Sequence, residues 1–299
     1  MTKQFLTKTR WLVTILLLSL GIGQMWGTTS VTGTYKLVTS TTGIAAGDTV
    51  LLVNKAGDYA LTGISTTSTK YGLRQSVTSS NGIITLTSAD VEELKVETGF
   101  NNTGFSFKGT GDISNYLYWT SGNSLNQNST KSANTSWTLD SYSADNGMTI
   151  KNNQDNTRIV KYNTANNQQR FACYTGSQNL TLVNLYKKVY AVKYDKNGGG
   201  GSAMTDSNSP YNRGTNVTVL SNSFTAPSGK IFDKWNTKAD GSGTSYAAGA
   251  TISSIQTSIT LYAQWKSSGT SVSLTPSAPS GNGSFLLAAH FSPFSTTFI

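Results

Sequence analysis

Along residues 258–265, Ser-Ile-Thr-Leu-Tyr-Ala-Gln-Trp, apolar and polar positions alternate, so that Leu261, Ala263 and Trp265 share one face of a strand and Thr260, Tyr262 and Gln264 the other. A strand with one apolar face needs partners, and glycine-rich joints upstream mark where the chain turns. Asp195-Lys196-Asn197-Gly198-Gly199 follows the stretch 191–194, and Asp240-Gly241-Ser242-Gly243 follows 231–235. Both read as hairpin turns, because Asn and Gly tolerate positive φ. Helical periodicity is nearly absent. Only residues 88–93, with Ser88 as cap and Asp90, Glu92 and Glu93 toward the positive end, predict one helical turn.

The same period of two runs through residues 49–188, where it repeats as three units of four strands. The first unit is predicted at 49–53, 59–61, 82–86 and 93–97. The second is predicted at 105–107, 116–119, a weak 124–126 and 136–139, and the third at 148–150, 158–162, 170–174 and 180–183. The closing strands superimpose as apolar-x-apolar, with Leu94 and Val96 matching Trp137 and Leu139, and Leu180 and Leu182. In the opening strands Phe105 and Phe107 match Met148 and Ile150, with Leu51 and Val53 in the same slots. Twelve strands in three such groups predict an all-β, β-trefoil-like domain, a barrel capped by hairpins; a two-sheet β-sandwich is the alternative.

Composition agrees with many short strands joined by polar turns, since Ser, Thr, Asn and Gly dominate and charged residues make up only 12%. The first residues add a compartment. Lys3, Lys8 and Arg10 precede an apolar run at 11–20 and then small residues, the pattern of a secretory signal peptide, with cleavage expected after Gly27. That apolar run is about 10 residues long against the roughly 20 that span a bilayer, and no later segment is longer, so no membrane-spanning segment is expected in the mature chain. Losing the signal peptide removes three basic residues and leaves 20 against 14 acidic ones. This excess is scattered, with Lys187-Lys188 the longest basic run, which argues against nucleic acid as a partner. Cys173 is the only cysteine, so no intramolecular disulfide forms and stability must come from burial.

Two resemblances follow from these residues. Asp195, Asn197, Gly198 and Gly199, then Pro227, Gly229, Phe232 and Trp235, then Leu261, Tyr262, Ala263 and Trp265 occur in the order of the internalin-type B repeat of bacterial cell-surface proteins, which residues 190–266 resemble. Asn236 stands where that family often carries an aromatic. The resemblance implies a small β-grasp-like module acting as a spacer or adhesive unit, with no catalytic residues to carry over. The preceding region more loosely resembles a β-module of secreted bacterial proteins, through Tyr116-Leu117-Tyr118, Ser136-Trp137-Thr138-Leu139, Arg158 with Tyr162 and Asn163, and Phe171-Ala172-Cys173-Tyr174. That likeness implies no activity. The organisation expected is therefore a signal peptide (1–27), an all-β trefoil-like domain (28–188), a B repeat (189–266), and a linker with an incomplete or disordered tail (267–299).

Candidates for chemistry are few. His290 is the only histidine and lies in the tail. Cys173 alternates with Phe171 on a predicted strand, where a buried thiol that packs is the expectation. Asp90, Glu92 and Glu93 have the residue types of a glycosidase pair, yet adjacent acids in a strand-edge turn ordinarily face solvent. Asp195-Lys196-Asn197-Gly198 lacks the remaining ligands of a calcium loop, and residues 198–201 lack the Gly-Lys-Ser and following helix of a phosphate cradle. No cofactor is expected. The candidate binding site is the aromatic strand 116–119. With Leu117 and Trp119 facing the core, Tyr116 and Tyr118 form an outward platform on which a sugar ring stacks, while Asn115, Asn123, Asn126 and Gln127 nearby bond hydroxyls. Alternatively these tyrosines pack between hairpins. The Gln-x-Trp signature of ricin-like sugar-binding trefoils is missing.

A secreted or cell-surface, non-enzymatic, adhesin-like protein is the expected function: the first domain binds an extracellular glycan or protein at Tyr116, Tyr118, Asn123 and Gln127, and the B repeat is its spacer. The alternative is an accessory, non-catalytic fragment of a larger secreted hydrolase or nuclease.

Overall fold

The computed structural model describes residues 30–177 and 179–269. The expected signal peptide, the tail from residue 270 and His290 lie outside them. Apart from two single 3-10 turns, Phe100–Asn102 and Ala133–Thr135, the regular structure of the described residues is all strand.

An opening strand β1 (Val31–Leu37) precedes a first unit of β2 (Thr49–Asn54), β3 (Tyr59–Ile64), β4 (Gly72–Ser76), β5 (Ser79–Ser80), β6 (Ile83–Ala89) and β7 (Leu94–Thr98). A second unit holds β8 (Phe105–Gly109), β9 (Tyr116–Tyr118), β10 (Asn126–Asn128) and β11 (Trp137–Ser143). A third holds β12 (Gly147–Asn152), β13 (Ile159–Asn163), β14 (Arg170–Tyr174), β15 (Leu180–Thr181) and β16 (Val183–Tyr190). These strands form one large antiparallel sheet in which six of them pair in a closed cycle. β2 pairs β7, β7 pairs β8, β8 pairs β11, β11 pairs β12, β12 pairs β16, and β16 returns to β2. Each unit also projects one hairpin, β3–β4, β9–β10 and β13–β14.

Inside the cycle lies a core in which Val50, Leu52, Leu94, Val96, Phe107, Trp137, Leu139, Met148, Ile150, Val183 and Leu185 are buried together. Trp137 is fully buried, and its indole N–H donates to the Leu117 carbonyl at 3.2 Å, so its one polar atom is satisfied where water is excluded.

Four sequence-level expectations need correcting. The third strand of the first unit is β4, not 82–86. β4 escaped notice because Gly72 carries no side chain at the point where Leu61 and Phe171 close over the backbone, and a Cβ there would stand 2.5 Å from Leu61 Cδ1. The apolar residues of 82–86 instead serve β1, also missed, which pairs β6 and shares a second core of Tyr35, Leu51, Val53, Ile84 and Leu86. Leu51 and Val53 therefore face that second core, and Val50 and Leu52 take the ring positions. A strand apolar on both sides gives period-two reasoning no way to choose a face. In the third unit Val183 and Leu185 fill the ring positions expected of Leu180 and Leu182, because Leu180–Thr181 pairs β13. No helical turn forms at 88–93, where β6 runs on to Ala89 and a loop follows.

β16 continues into β17 (Val192–Asp195), after which come β18 (Tyr211–Asn212), β19 (Val217–Thr218), β20 (Lys230–Asn236), β21 (Ser245–Tyr246), β22 (Thr251–Ile252) and β23 (Ile259–Ser267). A second sheet has the order β17-β23-β20-β21, in which β17 and β23, its first and last strands along the chain, are adjacent and parallel. Asp195 to Gly199 is consequently a turn and not a hairpin, whereas Asp240 to Gly243 does connect the antiparallel β20 and β21. This sheet has its own core around fully buried Trp235, met edge-on by Tyr194 and Phe224.

Candidate binding face

The β9–β10 hairpin is held by its inner side. Leu117 and Trp119 join the ring core, and Leu125, fully buried, anchors the turn just before β10. Tyr116 and Tyr118 are half-buried on the opposite side. Because directly opposed residues share a face, the register Tyr118↔Asn126 and Tyr116↔Asn128 places two asparagines beside the two tyrosines. Gln127 pairs with Leu117 and so belongs to the other face, where its Oε1 accepts from Asn115 Nδ2 at 3.3 Å. Asn123 lies in the turn, and its Oδ1 accepts from Arg158 Nη1 at 3.2 Å, with that guanidinium carbon 5.7 Å from the Trp119 ring. The geometry thus brings Tyr116 and Tyr118 together and separates Gln127 and Asn123 from them. Asn128 takes the place reasoning from proximity assigned to Gln127; hairpin register was the signal that would have found it.

The two tyrosines differ in freedom. Tyr116 donates its hydroxyl to Glu97 Oε2 at 3.0 Å, and the ammonium groups of Lys131 and Lys108 stand 5.3 and 5.7 Å from its ring centre. Burial first, and then the Glu97 bond, raise its phenol above the ordinary range. Lys131 also pairs with Glu97 at 2.7 Å, and this contact above all holds the Glu97 carboxyl below its usual value. Tyr118, half-buried, makes no side-chain hydrogen bond among the described residues.

The remaining candidates are occupied structurally. Glu92 is buried, and its carboxylate accepts from the backbone N–H groups of Thr110, Gly111 and Ile113 at 2.7, 2.8 and 2.9 Å, clamping the β8–β9 loop. Desolvation nonetheless dominates and raises its pKa. Glu93 is bonded by the Tyr35 hydroxyl and by Lys188 Nζ, and Asp90 is exposed. The expectation that all three face solvent fails for Glu92, whose loop needed an acceptor, and for Glu93, which Tyr35 and Lys188 largely cover. Cys173 is fully buried in the core, which pushes its thiol well up. A cleft of about 390 Å³ also opens beside the β11–β12 turn, lined in part by Lys55, Tyr142, Asp145 and Asn146. No helix among the described residues is long and apolar enough to cross a membrane.

In the second sheet the motif residues interlock. Asn197 donates through Nδ2 to the carbonyls of Ala239 and Ala263 at 2.8 and 3.0 Å, and Trp265 Nε1 lies 3.1 Å from those of Lys196 and Asn197. Asp195 is engaged in its own turn, its carboxylate accepting from Asn197 N–H. Asn236 is fully buried, and its amide donates to the Gly241 and Gly243 carbonyls and to the Ser245 hydroxyl, which organises the following loop.

No curated protein matches the chain in sequence. Among solved structures, three are similar at a TM-score of 0.34. A GH43 β-1,3-galactosidase is 16% identical over 51% of this chain and 29% of its own. Lysenin bound to phosphocholine is 12% identical over 49% and 46%, and the lysenin pore 10% over 53% and 49%. The chain thus spans less than half the length of each, and likeness at this level carries no argument. By contrast, residues 190–264, which hold the interlocked motif, match a family in sequence: they form a Listeria-Bacteroides repeat domain, a bacterial cell-surface repeat.

Proposed function

We propose that the protein is an exported, non-enzymatic, adhesin-like binding protein of a bacterial surface, in which the region before the repeat recognises an extracellular glycan and the repeat carries it as a spacer. The observation that carries this reading is the surface repeat at 190–264, continuous through β16 with the ring of strands. The parallel pairing of its first and last strands supports the β-grasp-like description. A β-trefoil is the architecture that accounts for six strands pairing in a cycle with one hairpin per unit, and trefoils leave few edges free for aggregation. Recognition is assigned to the Tyr118 side of the β9–β10 hairpin, with Tyr116, Asn126 and Asn128; Asn123 and Gln127 support the hairpin. The non-enzymatic reading is supported by the commitment of Glu92, Glu93 and Cys173 to packing and internal bonds.

A glycan array comparing the purified protein with its Tyr118→Ala variant tests this. Signals lost in the variant are expected; equal signals remove the site, and turnover of a polysaccharide by the purified protein removes the non-enzymatic reading.

A further inference from the structure

Cross-strand register lines up four side chains beside this hairpin. Lys95 of β7 opposes Lys108 of β8, Lys108 opposes Tyr116 of β9, and Tyr116 opposes Asn128 of β10. Directly opposed residues have Cβ atoms about 5 Å apart, and like charges in that relation destabilise a sheet. Lys95 and Lys108 are both exposed and neither has a carboxylate within salt-bridge distance among the described residues. Of the two acids two residues from Lys95 in the chain, Glu97 is paired with Lys131 and bonded by Tyr116, and Glu93 is bonded by Tyr35 and Lys188. The face therefore carries two exposed lysines on opposed positions without a carboxylate in salt-bridge distance among the described residues, next to a third that has one. Tyr118 follows Tyr116 on the same side of β9, about 7 Å farther along at the usual rise. Two cations in one cross-strand row, Lys108 on the strand beside β9 and Lys95 one strand farther, suit a ligand with a negative substituent on one sugar and an apolar ring face on the next.

We infer that the ligand of this face is an anionic glycan, its carboxylate or ester anion bridging Lys95 and Lys108 while a neighbouring sugar stacks on Tyr118. This rests on the glycan-binding reading above and adds the chemical class.

The test measures binding of the purified full chain to immobilised polygalacturonate, dextran sulfate and neutral dextran. Binding to one or both anionic polymers and not to dextran is expected, weakening as salt is raised, and which polymer binds tells carboxylate from sulfate ester. The Lys95→Gln/Lys108→Gln double variant should lose about tenfold or more in affinity. A Lys193→Gln/Lys230→Gln double variant, which removes the same charge from exposed sites in the repeat, should lose little. Equal losses in the two double variants, or binding to neither anionic polymer, overturns the inference. Dextran binding that depends on Tyr118 but not on the lysines overturns it while leaving the glycan reading intact.

Discussion

Arg213 of the repeat holds its Nε 3.5 Å from a carboxylate oxygen of Asp48 in the loop before β2, and its Nη2 donates to the Ala46 carbonyl at 3.1 Å. Asp48 is buried, caps Ala45 N–H at 2.8 Å and lies 3.7 Å from Lys187 Nζ. Beside it β18 pairs the end of β16, Tyr211 opposite Tyr190, so backbone bonds and an ion pair both cross from the repeat to the ring. A repeat attached this way holds its neighbour at a set angle.

The two partners should not be equivalent. Arg213→Ala leaves Asp48 with Lys187 and the Ala45 cap, and is expected to cost about 1 kcal/mol. Asp48→Ala removes the acceptor of a loop N–H and the counter-charge of two partly exposed cations at once, and should cost more, about 2 kcal/mol. Chemical denaturation of both variants checks the order; equal costs would show that the acid is not the centre of the joint.

Trp265 closes the repeat by gripping the turn after β17. Gly199 makes the grip possible, since a Cβ there would lie 2.5 Å from Trp265 Cζ2 and 2.8 Å from the Thr225 carbonyl. Gly199→Ala is expected to destabilise by about 2 kcal/mol through overpacking, and Trp265→Phe by about 1 kcal/mol through loss of the indole donor. Thermal unfolding reads both. A glycine variant as stable as the parent would mean that the turn yields without cost.

This part of the fold was legible from residue types, because Asn197, Gly199 and Trp265 are demanded by one contact and little else fits. Much of the large all-β sheet was legible from alternation, since Leu94, Val96, Trp137 and Leu139 mark their buried face on a period of two. What stayed hidden has physical causes. β2 is apolar on both faces, β4 packs through a glycine, and β1 stands outside the repetition it supports. At the candidate face the tyrosines could be chosen from alternation, but their neighbours are set by hairpin register, which sequence adjacency does not encode; Lys95 is 21 residues from Tyr116 in the chain and shares its row.

Glu92 makes a pH-dependent contribution whose sign can be worked out. Burial raises its pKa in the folded protein, so relative to the unfolded chain it favours folding most when protonated, and that contribution is lost as pH rises through the raised value. Glu92→Gln removes this dependence but also replaces an oxygen that accepts from Ile113 with an amide N–H₂. The variant should lose about 1–3 kcal/mol at neutral pH and show a flatter loss of stability above the ordinary carboxylate range. Melting temperatures of both proteins across that range decide it; parallel profiles would remove Glu92 as the titrating group.

Ser106 offers the converse case. It lies on β8, two residues from Lys108, is fully buried, and its hydroxyl has no partner among the described residues. A hydroxyl taken from water without a replacement bond costs free energy that an alanine at the same place does not. The methyl group of alanine fills nearly the same volume, so little packing is lost in exchange. Ser106→Ala is therefore expected to leave stability unchanged or to raise it by about 1 kcal/mol, within the range found for removing unsatisfied buried groups. A loss above that magnitude in chemical denaturation would mean that the hydroxyl is bonded in solution, most simply through a water molecule.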